Sequence, residues 1–444
     1  MNTSYSLYIG DKGKGTMVLE GGGQIENHAT NISTGSTSEG TLTVKGETSK
    51  LTTNYLRGYQ NATVNIESGG EIGIITNVYM GQSSNSSMYM KVTGSGSQVE
   101  VDSKMYVGYG ENSKSIVDID SGGLVSVPNM TTGGYSSTTG IYGKVKIEGS
   151  SSKLEISGAL TMGESSQSIG ELDHLSGVVD IEGNLYLGND AEATANYYLR
   201  GGLLEVLEIQ KNGDYRFDWT GGELKTLLVD FDLENKGGVL NPSSIGGGID
   251  PNSIGTGIVV IKGNYKQNGD STLKIEIRGE RFIYKRGEVK EYDRVSVSGN
   301  IEVSGNLKVV FVDGFVPDVE EASRRPYTFT IMDWDRTKAS NIIGVFGERL
   351  YPELPLGLMW NDDKLYSEGE LRIEREIFKY TGVVDGGVSE RYTSMHEDMD
   401  LTELLTVSAH DARVGEATRG YLELGYGVKP ITEKGYIGKE LGST

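Results

Sequence analysis

The chain contains no cysteine, so no disulfide staples it and no thiolate can hold a metal. That excludes a small disulfide scaffold but does not place the compartment. Proline is scarce, 8 in 444 residues. No apolar run approaches the roughly 18–20 residues that a membrane helix needs, so no integral membrane segment is predicted. Basic residues are the minority: 41 Lys and Arg stand against 62 Asp and Glu, a net charge of −21. A surface this acidic repels nucleic acid and anionic membranes, which excludes nucleic acid as a partner and favours solubility. The start, Met1-Asn2-Thr3-Ser4-Tyr5, lacks the basic and apolar parts of a signal peptide. The expectation is a processed form, another export route or an internal protein.

Glycine is what the chain has in excess, 64 residues, about twice the usual share. No Gly-X-Y period accompanies it, so collagen is excluded. At about three domains for a globular chain of this length, internal repetition is the first alternative to test. A short apolar strand closed by glycine recurs as Leu7-Tyr8-Ile9-Gly10, Ile32-Ser33-Thr34-Gly35, Tyr55-Leu56-Arg57-Gly58 and Val78-Tyr79-Met80-Gly81. It continues as Met105–Gly108, Met130–Gly134, Leu160–Gly163 and Leu185–Gly188. The spacing of the closing glycines stays near 25 residues, a solenoid period with variable loops.

A second marker runs in step: Met17-Val18-Leu19, Leu42-Thr43-Val44, Val64-Asn65-Ile66, Met90-Lys91-Val92, Val117-Asp118-Ile119, Val145-Lys146-Ile147 and Val179-Asp180-Ile181. Side chains alternate across a strand, so the outer two of each triplet point inward and the middle one outward. Stacked, Leu19, Val44, Ile66, Val92, Ile119, Ile147 and Ile181 would form an apolar core. Lys91, Asp118, Lys146 and Asp180 would form an outward ladder of alternating sign, each charge facing its opposite about 4.8 Å away. Gly-Gly corners follow at Gly21–Gly23, Gly69-Gly70, Gly122-Gly123 and Gly201-Gly202, as a backbone turning through φ > 0 requires. Three strands and three corners per coil make a parallel β-helix, so the fold class is an all-β solenoid of about 25-residue coils. Three regions are expected: repeats over 1–210, C-terminal coils over 211–376, and a non-repeating tail over 377–444.

The second region opens with aromatics (DYRFDW, Asp214–Trp219) and passes through the Gly/Ser/Pro-rich stretch Ser243–Gly257. Four motifs then follow: GNYKQNGDSTLKIEI (Gly263–Ile277), YDRVSVSGNIEVSGNLKVVFVDGFVP (Tyr292–Pro317), YTFTIMD (Tyr327–Asp333) and LPLGLMWNDDKLYSEGELRI (Leu354–Ile373). Together with the glycine-closed repeat of Leu7–Ile25, this set resembles the passenger domain of bacterial autotransporters. It is equally similar to surface proteins built on autotransporter- and PEP-CTERM-associated repeats. The resemblance spans about residues 5–376 and implies a secreted lineage, placing the protein at the cell surface or outside the cell. It does not select among adhesins, surface coats and protease-bearing passengers. The 68 residues after Glu376 are too few for a translocator barrel.

In the tail, apolar spacing over Asp398–Thr418 (Leu401, Leu404, Leu405, Val414) predicts a helix with Asp398 or Asp400 as N-cap and Gly420 as stop. A Gly/Tyr-rich end with Tyr421, Tyr426 and Tyr436 follows. Two roles are open: a cap over the solenoid end, or an assembly element docking on the next subunit. Tyr8, Tyr79, Tyr106 and Tyr186 share one outward position and are candidates for stacking on sugars, or form a structural ladder. Catalytic signatures are missing: no Gly-x-Ser-x-Gly elbow, no phosphate loop, and four separated histidines (His28, His174, His396, His410) read as surface residues. Asp118, Asp120, Asp180 and Glu182, taken to share one strand stack, are the candidates for a glycan-cleaving pair. The interleaved Lys146 favours charge balance instead. Ca²⁺ is a candidate for the acidic surface, but both the GGxGxDxUx nonapeptide and the EF-hand loop are missing; no cofactor is expected. The expectation is a non-enzymatic, structural or adhesive surface solenoid that self-associates, with a polysaccharide-degrading or tailspike-like enzyme as the alternative, and a glycan or a cell surface as the partner.

Overall fold

The computed structural model describes residues 5–135, 138–242, 257–282, 290–337, 342–384, 387–394, 412–414 and 435–437. The chain forms a parallel β-helix. Period-two patterns such as SMYMKVT (Ser87–Thr93) and KSIVDID (Lys114–Asp120) become strands whose burial alternates residue by residue. A strand this short cannot bury its own apolar face, so it stacks on the equivalent strand of the next coil. One face is a 13-stranded parallel sheet that begins at Lys14–Leu19, Glu39–Lys45, Asn61–Glu67 and Ser87–Thr93. The other two faces belong to a 21-stranded sheet. In some coils they are separate strands, Gln98–Val101 and Lys104–Val107. In others one longer strand bends across both faces, as in Glu71–Met80 and Val178–Leu187.

Registers between coils correct the sequence alignment at three places. Ile9 pairs with Ile32, and Ile32 with Gly58. The corner position of Gly10 is therefore filled next by Ser33 and Tyr59, not by Gly35 and Gly58. Ser33 takes φ +61° there. On the first face the ladder Leu19–Val44–Ile66–Val92–Ile119–Ile147 is in register as expected. Its next rung is His174, with Asp173 outward, because Ile169–His174 is the strand that pairs with Tyr142–Ile147. Val179-Asp180-Ile181 lies on the second face, stacked on Leu154-Glu155-Ile156. The step from Ile147 to His174 is as long as that from Val92 to Ile119, so the period holds; the rung escapes an apolar pattern because Leu172-Asp173-His174 ends in histidine. Charges on the outward ladder still alternate, through Asp173. The ion pairs run diagonally, though: Lys91 to Asp120 at 3.0 Å and Lys144 to Asp173 at 3.7 Å.

Corners hold the stack through serine and glycine. The Ser97 hydroxyl accepts the Gly69 N–H of the preceding coil at 3.0 Å and donates to its own coil at Thr93 O, 2.7 Å. Ser152 repeats this with Gly122 N–H at 3.0 Å and Glu148 O at 2.6 Å. Gly69 and Gly122 take φ +89° and +92°. The second glycine of each pair lies against the coil below: a Cβ on Gly123 would collide with the Val92 carbonyl oxygen.

By contacts the chain divides into two units: residues 1–313 with 330–351 and 366–369, and residues 314–329 with 352–365 and 370–444. The first carries the coils. In its later coils Tyr265 and Gln267 turn inward. Gln267 is 1 % exposed and bonds the backbone oxygens of Ser304 and Asn306, both at 2.9 Å. Asp293, fully buried, accepts from Gly257 N–H at 2.7 Å and Glu276 N–H at 2.9 Å. Burial pushes its carboxyl well up against the pull of those two donors. The second unit carries all but Thr330 of a three-stranded sheet formed by Tyr327–Thr330, Glu370–Arg375 and Leu358–Asn361. It also holds helix Val319–Arg324, capped by the Asp318 carboxylate accepting from Glu321 N–H at 2.8 Å. A hairpin of Ile377–Val384 and Gly387–Ser394 follows. The helix predicted over Asp398–Thr418 meets a strand at Ala412–Val414; Leu401, Leu404, Leu405, Tyr421 and Tyr426 lie outside the described residues. Tyr436 falls in the strand Gly435–Ile437.

Candidate functional site

The third face carries the tyrosine position. Its register reads Tyr8, Asn31, Arg57, Tyr79, Tyr106, Thr131, Thr161, Tyr186, Gln210. The four predicted tyrosines share this position, but only Tyr79 and Tyr106 are neighbours. Their rings stack at 5.4 Å between centroids and 7° between planes. Two further tyrosines, which strand periodicity could not find, join from the corners. Tyr109 meets Tyr79 and Tyr106 edge-on at 4.9 and 5.3 Å, and Tyr135 stacks on Tyr109 at 4.9 Å. Both follow the marker glycines at Gly108 and Gly133-Gly134, the one sequence signal for them. The Lys104 ammonium lies 4.6 Å from the Tyr106 centroid. Arg57 stands 5.9 Å from that of Tyr79. Burial, then Tyr79 and Glu164, push the Tyr106 phenol up to about 12. The cluster is thus a neutral patch whose ring faces are largely used on one another. Tyr8 stands apart, 58 % exposed, and Tyr186 accepts a bond from Asn184 at 3.0 Å.

The carboxylates do not converge. Asp118 and Asp120 stand on the first face, whereas Asp180 and Glu182 belong to the strand of the second. Asp118 is held by the Tyr89 hydroxyl at 3.0 Å. Asp120 is partly buried, which works upward, but hydrogen bonds from Thr93 and Lys91 prevail and hold its carboxyl below the usual range. Asp180 sits between Glu155 and Glu205 in successive coils. Burial, then Glu205, raise its carboxyl. Lys153 lies between Glu155 and Asp180, at 2.6 and 3.7 Å. Among the described residues no group of three or more His, Asp or Glu is arranged to hold a metal ion. No described helix is long and apolar enough to cross a membrane.

His174 is not a surface residue. It is fully buried on the inward ladder, with Nδ1 3.2 Å from the Tyr197 hydroxyl and Nε2 3.3 Å from the Gly177 carbonyl. Burial drives its pKa down to about 4. His28 is exposed on the third-face side; His396 and His410 lie outside the described residues.

One groove opens on the first face. It encloses about 390 Å³ and is lined by Asn61, Thr63, Ser87, Tyr89, Lys114 and Ile116, with Glu39 at one end. Asn61, Ser87 and Lys114 occupy one register position in three successive coils, after Glu39 in the coil before. The Tyr89 phenol is pushed up to about 12 by burial and by its bond to Asp118, so it remains a donor at neutral pH. Comparison of the chain with family models, with curated proteins and with solved structures finds no match in any of the three.

Proposed function

We propose that this protein is a non-enzymatic surface solenoid, structural or adhesive, which works through its faces and its association with further copies rather than by turnover. One observation carries the reading. Outward positions stack in register from coil to coil on every face, so a surface feature can extend along the stack instead of gathering in one cleft. A repeating surface suits a repeating partner, such as a polymer or an array of identical subunits. The resemblance to autotransporter passengers adds display outside the cell. Nothing favours the glycan-cleaving alternative, because Asp118 and Asp180 stand on different faces. The high negative charge opposes self-association until it is screened, so assembly is expected to rise with ionic strength. Negative-stain electron microscopy and sedimentation of the purified protein, at low and high salt, test this reading. Filaments, sheets or adherence to cells or polysaccharide are the expected result; monomers that bind neither, at high concentration and high salt, overturn it.

A further inference from the structure

Among the described residues, the third-face tyrosines and the first-face groove are two of the places where aromatic rings stand among hydrogen-bonding groups at the surface. The third-face rings stack on one another and under Lys104 and Arg57, which leaves little ring face for a ligand. On the first face, Tyr89 stands between Thr63 and Ile116 of the adjacent coils. Among the described residues no other ring and no cation stacks on it. Its hydroxyl is tied to Asp118 Oδ2 at 3.0 Å, which fixes the ring beside the groove.

Beside Tyr89 the groove is lined by the uncharged Asn61, Thr63 and Ser87. Ser87 donates to Asn61 Oδ1 at 3.0 Å, which directs the Asn61 amide hydrogens elsewhere. The two charges at the ends are already engaged: Glu39 by Lys14 at 2.8 Å, and Lys114 over the Tyr142 ring at 5.3 Å. A chain of net charge −21 repels polyanionic glycans. The groove volume of about 390 Å³ falls in the range of roughly 300–1,000 Å³ usual for small-ligand sites.

The groove also has a period. From Glu39 to Lys114 it crosses four successive coils, about 14 Å at about 4.8 Å per coil. Rings in an extended β-1,4-linked glycan repeat at nearly that spacing, so each coil meets one ring. We propose that this groove binds a neutral, extended β-1,4-linked glycan lying along the coil stack, with one sugar ring against Tyr89 and its hydroxyls on Asn61, Thr63 and Ser87. The proposal rests on the adhesive reading and names its ligand and face.

Calorimetric titration of the full chain with cellotetraose and with N-acetylchitotetraose tests it, with the α-linked, coiling maltotetraose as control. At least one β-1,4 tetrasaccharide should bind, and more tightly than maltotetraose. Tyr89→Ala should weaken that binding by about tenfold or more, the loss of an aromatic anchor. Tyr89→Phe, which keeps the ring but loses its tie to Asp118, should weaken binding far less than Tyr89→Ala, and Tyr135→Ala, on the other face, should leave it intact. Binding that survives Tyr89→Ala but is lost in Tyr135→Ala overturns the groove while the adhesive reading stands. Should Tyr89→Ala melt or lose its circular dichroism, Asn61→Ala at an exposed site replaces it, and unchanged affinity there overturns the proposal. If no tetrasaccharide binds while the protein still adheres to cells or polysaccharide, only the groove fails. If it adheres to nothing, the adhesive reading fails with it.

Discussion

At His174 an imidazole stands where the adjacent coils place Ile147 and Leu199. The fold tolerates it because Tyr197 and Gly177 meet its two ring nitrogens and because Gly202 leaves space: a Cβ there would crowd Nε2. Burial holds the folded pKa near 4, below the ordinary value of 6.5. The fold therefore favours the neutral ring. Its contribution is fully present above about pH 6.5 and is lost as pH falls toward about 4. That loss amounts to roughly 3 kcal/mol. Thermal melting from pH 7.5 to 4 should fall more steeply for the native chain than for His174→Gln, which keeps a donor and an acceptor but cannot titrate. Parallel slopes would show that the histidine is not the acid-sensitive group. At another residue, removing the Ser152 hydroxyl leaves the Gly122 N–H without its 3.0 Å partner. Ser152→Ala should cost about 1–3 kcal/mol in denaturant unfolding, against little change for Ser151→Ala at an exposed neighbour.

At the scale of the strand and its corner, glycine and charge act in different ways. Gly123 is required by the coil below it, since any side chain meets the Val92 carbonyl. Gly13 has open space around it and no left-handed φ. Gly123→Ala should destabilise by at least the 1–3 kcal/mol or so of an overpacked core, while Gly13→Ala should be nearly neutral; equal midpoints in urea would contradict the close-stacking account. On the outward ladder, Lys146 stands between Asp118 and Asp173 and pairs with Glu148 at 2.7 Å. Burial of Lys146 lowers its pKa slightly, but the Glu148 bond comes first and raises it. Lys146→Glu would set three carboxylates on successive rungs. The expected loss is about 1 kcal/mol, shrinking at high salt because the site is partly exposed. A salt-independent loss would assign the effect to packing instead.

Over the whole stack, stability is a sum over coil interfaces. Val92 and Ile119 are fully buried between coils on both sides, whereas Leu19, 8 % exposed, has a described neighbour on one side only. Truncating Ile119 to alanine should cost about 2–5 kcal/mol and Leu19→Ala clearly less. Hydrogen exchange should likewise be slowest in Ser87–Thr93 and Lys114–Asp120 and faster in Ser6–Ile9. Uniform protection from end to end would mean that the coils unfold as one unit rather than as neighbours. The same one-dimensional build lets an outward feature persist along the stack, which is why both the tyrosine patch and the Tyr89 groove run across coils instead of into a cavity.

The sequence by itself determined the parallel β-helix, its glycine corners, its apolar inner ladder and the alternation of charge, because these follow from period-two strands repeated at nearly constant spacing. It also placed Tyr8, Tyr79, Tyr106 and Tyr186 at one register position. Register was decided only by the tertiary structure where a rung is not apolar or a corner is not glycine. Backbone pairing between coils, not the apolar pattern of triplets, put His174 rather than Ile181 on the inner ladder and separated Asp118 from Asp180. The corner residues Tyr109 and Tyr135, the serine staples at Ser97 and Ser152, and the groove beside Tyr89 were hidden for the same reason. Each is made by residues more than twenty positions apart in the chain, brought together by the stacking of coils that no single strand's pattern encodes.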